Sequence, residues 1–381
     1  MAKAGAVPPE PVEVVIAVHS PDRPVRRAVA SVLAAGMPGT VRATVVCHNM
    51  DAVPVRTALA DLSGDAVRVL ELRDGIPSPA GPFNYGLQHA QAPWVSIMGS
   101  DDELEPGALD AWRAAAAGRG AVAAIAPLRL RGGRRILTPR ARVLRGRRVG
   151  PLRDRLAYRT APLGLIRGEA VNRLGPRLAP GLRTGEDLEF GLRLWFSGEP
   201  IVYPASAPCY LVGEDAGERV TGAVLPLAEQ FRDVSRLLSA GWFAGLPARS
   251  REAAAVKLLR GHVISAALRR GAGFDWTEDE GAELSRVVRE ITALAPDAPH
   301  LLSAPDEALL DALRGAPPAA ELAAALRRRQ AAGVLARSFT RRWQDNLRRE
   351  SPLRSNLNSL LAAAAEQGRR LPGLLQRKDP T

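Results

Sequence analysis

The run Val12-Glu13-Val14-Val15-Ile16-Ala17-Val18 is dense in β-branched residues and predicts a central parallel strand. His19 to Pro24 follow as a turn, and Pro24 suits the first position of a helix reaching about Ala35. Similar apolar runs at Arg42–Cys47, Ala66–Leu72 and from Trp94 predict further strands. Helical spacing between them predicts helices near Val53–Leu62, Asn84–Ala90 and Pro106–Ala117, and Ala121–Leu128 reads as a fifth strand. Strands alternating with helices argue for a parallel sheet covered on both faces. Ligands in such sheets sit at the carboxyl ends of the strands, where His19, Asn49 and Asp101 fall.

The pattern then changes. From Arg129 to Arg159 twelve arginines stand against one acid, Asp154. That density predicts either a solvated connector or a surface that holds an anion, and not core. Beyond it, Leu188, Leu192 and Trp195 form one face of a helix that opens at Glu186-Asp187. Ile201–Tyr203 and Ala207–Val212 read as short strands. From about Leu225 onward the spacing is near 3.6, in segments such as Ala228–Ala240, Arg249–Arg269, Glu278–Leu294 and Glu321–Ala336. The expected organisation is an α/β domain over residues 1–225, with the arginine-rich segment 129–159 inside it, and a helical domain over 226–381.

Composition narrows the partners. The 381 residues carry a formal net charge of +12, and only Lys3, Lys257 and Lys378 are lysines. That excess favours anionic partners. Cys47 and Cys209 form neither a CxxC pair nor a zinc-ligand cluster, which fits a reducing cytosol. Met1–Glu10 has no apolar core of a signal peptide, and no run of about 18 apolar residues occurs, so no membrane span is expected. Residues 321–381 hold thirteen bases and five acids, with Arg337–Trp343 and Leu371–Leu375 mixing bases and bulky apolar groups. This basic region is a candidate for peripheral contact with an anionic membrane face; an amphipathic helix packed on its own domain or on a second subunit is the plainer reading.

The candidate chemistry lies in Trp94-Val95-Ser96-Ile97-Met98-Gly99-Ser100-Asp101-Asp102-Glu103-Leu104-Glu105-Pro106. A strand runs into an acidic turn and then a helix. Adjacent carboxylates at a strand end suit a hard divalent cation bridging nucleotide phosphates; acids capping the following helix are the other reading.

Taken together, Phe83-Asn84-Tyr85-Gly86-Leu87-Gln88-His89-Ala90 with Trp94–Pro106, and Gly185-Glu186-Asp187-Leu188-Glu189-Phe190 with Arg193-Leu194, resemble the R-N-x-G-(I/L)-x-x-A … D-S-D-D-x-L-x-P and E-D-x-x-(F/L)-x-x-R blocks of the family 2 glycosyltransferases. Ile16–Ser20, Ser31-Val32-Leu33 and Tyr203-Pro204 match further pieces, and the resemblance spans about residues 12–222. It departs at Gly99, where the family's metal motif begins with Asp, and at Cys47-His48-Asn49, where an acidic pair contacts the base.

The resemblance implies a GT-A fold and inverting transfer of a sugar from a nucleotide diphosphate, most readily a UDP-sugar, to a hydroxyl. It implies Mn²⁺ or Mg²⁺ on Asp101 and Asp102, donor contacts from His19, Ser20, Asn49, Asp74, Asn84, Ser100 and Asp101, Asp187 as general base and Glu186 placing the acceptor. The arginine-rich segment would then form part of the acceptor side. Arg145, Arg147, Arg148, Arg183 and Glu186 are the acceptor candidates, for a glycan, a lipid-linked glycan or an anionic polymer of a bacterial cell envelope. The expected location is cytoplasmic, at or near the inner face of the membrane, with the helical domain a candidate for homo-oligomer contacts. A catalytically silent module binding glycan or nucleotide is the main rival. An arginine-rich nucleic-acid binder is disfavoured by the few interleaved aromatics and the lack of a helix-turn-helix or RNA-binding motif, and a nucleotidyltransferase by the Glu186-Asp187 block.

Overall fold

The computed structural model describes residues 9–62, 64–139, 148–174, 178–214 and 225–361. The chain divides into two compact units, Met1–Thr138 with Gly146–Val149 and Arg159–Ala223, and Pro139–Arg145 with Gly150–Tyr158 and Val224–Thr381.

In the first unit, strands β1 (Val12–Val18), β2 (Val41–His48), β3 (Val67–Leu72), β4 (Trp94–Gly99), β6 (Ala123–Ile125), β9 (Arg148–Val149), β10 (Gly164–Arg167) and β11 (Ile201–Val202) build one sheet in the order β3-β2-β1-β4-β10-β6-β11-β9. The first four are parallel, with Val15 opposite Thr44 on one side and Ile97 on the other. Strands β1, β2 and β4 are almost wholly buried, as a sheet covered on both faces requires, while β3 at the edge is only partly buried. Helices α1 (Val25–Ala34), α2 (Val53–Ala58), α3 (Ala80–His89), α4 (Ala108–Ala117), α5 (Gly168–Arg173) and α6 (Leu188–Trp195) accompany it. A smaller sheet pairs β5 (Glu103–Leu104), β7 (Leu128–Leu130), β8 (Arg135–Ile136) and β12 (Tyr210–Val212).

Two expectations change. The single strand at Ala121–Leu128 is split into β6 and β7, which belong to different sheets. The arginine-rich stretch is not wholly surface. Arg159 is buried and donates to the carbonyls of Ala126, Ala161 and Leu163 and to Thr138 Oγ1, at 3.1–3.2 Å. Burial pushes its pKa down to about 10, opposed by Tyr203, Tyr210 and Asp187, so it stays charged at neutral pH. Buried oxygens that need donors explain an arginine in the interior. Arg155, in the second unit, is likewise buried, beside Glu350.

The second unit is helical, with helices that include Arg232–Ser239, Ala248–Leu258, Glu278–Leu294, Ala304–Arg314 and Ala319–Ala331 around Phe231, Val234, Leu259, Val287 and Leu310. Thr277 and Ser303 cap their helices through side-chain oxygens that accept from the N–H groups of Glu280 and Asp306. A π-helical turn, Leu259–Ile264, holds His262 at 2.6 Å from the Lys257 ammonium and 3.7 Å from Asp233. Burial, then Lys257 and Arg269, hold the imidazole well below its usual pKa. The unfolded chain takes up a proton below about pH 6.5 that the folded chain refuses, so stability falls as pH drops through that range. His262→Gln is expected to flatten the decline in melting temperature between about pH 7 and 5, measured by circular dichroism on both proteins.

Candidate functional site

The sheet order places β1 between β2 and β4, and the chain returns from β3 to reach β4 on the far side of β1. The carboxyl ends of these strands therefore flank a topological switch point, where α/β sheets open a crevice. A cavity of about 560 Å³ opens there. His19, His48-Asn49 and Ser100–Asp102 line it from the strand ends, Ser78 from the approach to α3, Phe83 from α3 itself, and Gly213 from beyond β12.

The acidic turn is held from several sides. Arg23, just before α1, reaches Asp101 Oδ2 at 3.3 Å and lies 3.4 Å from His19 Nε2. One turn later, Arg27 donates to the Asp101 carbonyl at 3.2 Å and pairs with Glu103 at 3.1 Å. Asp102 accepts from the Tyr210 hydroxyl at 2.5 Å and from the Gly213 N–H at 2.8 Å. Burial pushes its carboxyl up to about 6 against these two donors, with Asp101 adding to the rise. Burial and the Arg23 charge lower His19, and Asp101 partly offsets them.

Gly99 leaves room for both carboxylates. A β-carbon there would lie 2.9 Å from Asp102 Oδ2 and 3.0 Å from Asp101 Oδ1. Those two oxygens converge on a space that any larger residue would fill. Among the described residues no set of three or more His, Cys, Asp or Glu side chains could hold a metal ion. Two carboxylates nonetheless fit an ion of the Mg²⁺ type, which keeps waters and takes substrate phosphates as its other ligands.

At the β2 edge, Asn49 adopts φ +55°, a left-handed conformation that asparagine tolerates. Its Oδ1 accepts from the N–H groups of Asp74 and Gly75 at 3.1 and 2.9 Å. Asp74 Oδ1 stands 2.9 Å from His48 Nε2 and accepts from the Ile76 N–H at 2.9 Å. Burial raises the Asp74 carboxyl, but Ile76, His48 and Asn49 outweigh it and the net shift is downward. Asp74 therefore orders the His48–Asn49 edge and does not itself line the cavity. Ser20 makes a local turn with Asp22, also outside the lining. Asn84 is a tether: its amide donates to the Leu178 carbonyl at 2.8 Å and accepts from the Leu178 N–H at 3.0 Å.

The second acidic block begins with Gly185 at φ +79°, where a side chain would be strained. Glu186 and Asp187 follow, both half-buried, with Asp187 at the N-cap of α6. Helix α6 lies hard against the chain at Thr160, since a β-carbon on Gly191 would come within 2.3 Å of the Thr160 carbonyl. Trp195 fixes the other end by donating to the Arg159 carbonyl at 2.6 Å. Ser78, in the cavity wall, donates to the Leu182 carbonyl at 2.6 Å, just ahead of this block. The cavity lining does not include Glu186 or Asp187.

Of the acceptor candidates, Arg183 is exposed. Arg148 is exposed on β9 and donates to the Arg119 carbonyl at 3.1 Å. Arg145 and Arg147 lie outside the described residues. Sequence reasoning missed Arg23, Arg27, Tyr210 and Gly213. The two arginines had a signal, a spacing of four across the start of α1; Tyr210 meets Asp102 only through the fold.

No family model matches the chain, and no curated protein matches it. Among solved structures it is similar to S. aureus TarS 1–349 in complex with UDP-GlcNAc, with a TM-score of 0.70 and 15% identity over 84% of this chain and 91% of that one. The same TarS segment in complex with UDP gives a TM-score of 0.66 at 15% identity, over 85% and 93% of the two chains. At that identity the likeness is one of fold.

Proposed function

We propose that this chain is a glycosyltransferase that moves a sugar from a nucleoside diphosphate, in the first instance a UDP-sugar, to a hydroxyl of a glycan or anionic cell-envelope acceptor, with inversion. The observation that carries the reading is the cavity at the β1–β4 switch point. It sets a cation, Arg23, beside an acidic turn, in a fold shared with a protein seen with UDP-GlcNAc.

Arg23 supplies fixed positive charge for a diphosphate, held in place by Asp101 and His19. Asp101 and Asp102 would hold Mn²⁺ or Mg²⁺, which supplies charge neutralisation for the leaving diphosphate. Tyr210 and Gly213 fix the Asp102 carboxylate in one orientation. The His48–Asn49 edge, braced by Asp74, offers hydrogen-bonding groups to the base, and Phe83 an apolar wall. Asp187 takes the proton of the acceptor hydroxyl as it attacks, and Glu186 places that hydroxyl. Arg148 and Arg183 are the described arginines assigned to an anionic acceptor.

The test is nucleotide release over a panel of sugar nucleotides with Mn²⁺, Mg²⁺ or EDTA, on wild type and Asp101→Asn. One donor is expected to be hydrolysed slowly, and metal dependence to disappear in the variant. No release from any donor, with candidate acceptors present, would remove the catalytic reading. A nucleotide that still raised the melting temperature would then favour a binding module.

A further inference from the structure

The second unit carries an apolar surface that its own core does not use. Leu335, Trp343, Leu347 and Leu360 are 77%, 76%, 69% and 69% exposed. In the helical residues 352–361, Leu353, Leu357, Leu360 and Leu361 recur at helical spacing, and the last three are exposed. Isolated exposed leucines are ordinary, but this many within 28 residues mark an interaction surface.

These pieces are tied together. Asn356 donates to Ser338 at 3.4 Å, Arg354 to the Leu347 carbonyl at 3.0 Å, and Thr340 N–H to Asn346 Oδ1 at 3.0 Å. Within residues 334–361 the exposed charge has one sign. The only acids in residues 334–361 are Asp345 and Glu350, and both are buried. Arg341 and Arg348 are paired with carboxylates of other helices. Arg337, Arg342, Arg349 and Arg354 are exposed.

We propose that residues 334–361 form a docking surface for an anionic lipid bilayer. Apolar side chains that include a tryptophan, interleaved with arginines in a stretch that has no exposed acid of its own, match both layers of such a surface: acyl chains beneath, anionic headgroups above. A protein partner matching the same face would need an acidic rim around an apolar centre. A nucleic acid would leave Leu335, Leu347 and Leu360 without apolar cover. No helix among the described residues is long and apolar enough to cross a membrane, so the contact is peripheral. This reading is independent of the catalytic proposal.

Flotation of the full chain with vesicles of phosphatidylcholine, alone or with about 30% phosphatidylglycerol, tests it. Wild type is expected to float with the anionic vesicles, and less as salt rises. Arg337→Gln with Arg342→Gln should lower partitioning about 30-fold, and Trp343→Ser with Leu347→Ser at least about tenfold. Both pairs are exposed, so thermal melting should stay at the wild-type value and separate lost docking from lost folding. Failure of wild type to bind anionic vesicles would overturn the proposal. So would binding that both double variants retain, which would move the contact to another part of the chain. A wild-type oligomer in light scattering that Trp343→Ser with Leu347→Ser dissociates, with no vesicle binding, would assign the face to a second copy of the chain instead.

Discussion

Asp187→Asn is expected to leave donor binding at its wild-type value and to lower transfer to the acceptor by about 10²- to 10⁴-fold, the range for loss of a general base. The amide keeps the shape of the carboxylate, and the backbone role of residue 187 survives, because its carbonyl accepts from the Gly191 N–H at 2.8 Å regardless of side chain. What disappears is the carboxylate's charge, which also acts on Arg159, and with it the ability to take a proton. The seat of α6 makes this a clean test: Gly191 against Thr160 and Trp195 on Arg159 hold the helix whatever occupies its N-cap. Nucleotide affinity by calorimetry and turnover at saturating donor separate the two effects. A loss of transfer smaller than about tenfold would place the base elsewhere, with Glu186 the next residue to replace.

Gly213→Ala is expected to weaken nucleotide binding at least about tenfold and to lower stability by about 1–3 kcal/mol, the range for a disrupted hydrogen bond to a buried charged group. The added carbon would lie 2.2 Å from the Asp101 carbonyl oxygen and 2.9 Å from its carbon. Both are backbone atoms, so no side chain can swing away. The chain at 213 must retreat, and its N–H leaves Asp102, whose carboxylate is already costly to keep ionised. Gly241→Ala, which meets nothing within 4 Å and is exposed, serves as the control and should change neither property. Calorimetric titration with UDP and a thermal melt of each protein decide it. Wild-type affinity in Gly213→Ala would mean that the Asp102–Gly213 contact does not shape the cavity.

The parallel strands were readable because Val12–Val18 and Trp94–Gly99 are apolar apart from Glu13 and Ser96, the pattern of a doubly covered sheet. The acidic turn was readable because carboxylates follow such a strand directly. Other features carried no local mark. Leu163–Arg167 is a short apolar run without alternation, yet β10 enters antiparallel between β4 and β6. Arg159 counted as surface because charge patterning treats arginine as solvated, while in the fold its donors meet four oxygens from separate parts of the chain. Tyr210 and Asp102 are 108 positions apart, and no periodicity links a strand tyrosine to a turn so distant. Helix Ala304–Arg314 had a capping serine and an acidic first turn in Ser303-Ala304-Pro305-Asp306-Glu307, a start signal not used.

The exposure of Trp343 has an optical side. Trp94, Trp112, Trp195 and Trp276 are buried, Trp242 is half-buried, and Trp343 stands in solvent. An indole in water emits at longer wavelength than one in an apolar interior. The red edge of the chain's fluorescence therefore belongs chiefly to one residue of six, and that residue sits on the arginine-flanked face of the helical unit. The molecule carries its own spectroscopic label there, readable without chemical modification.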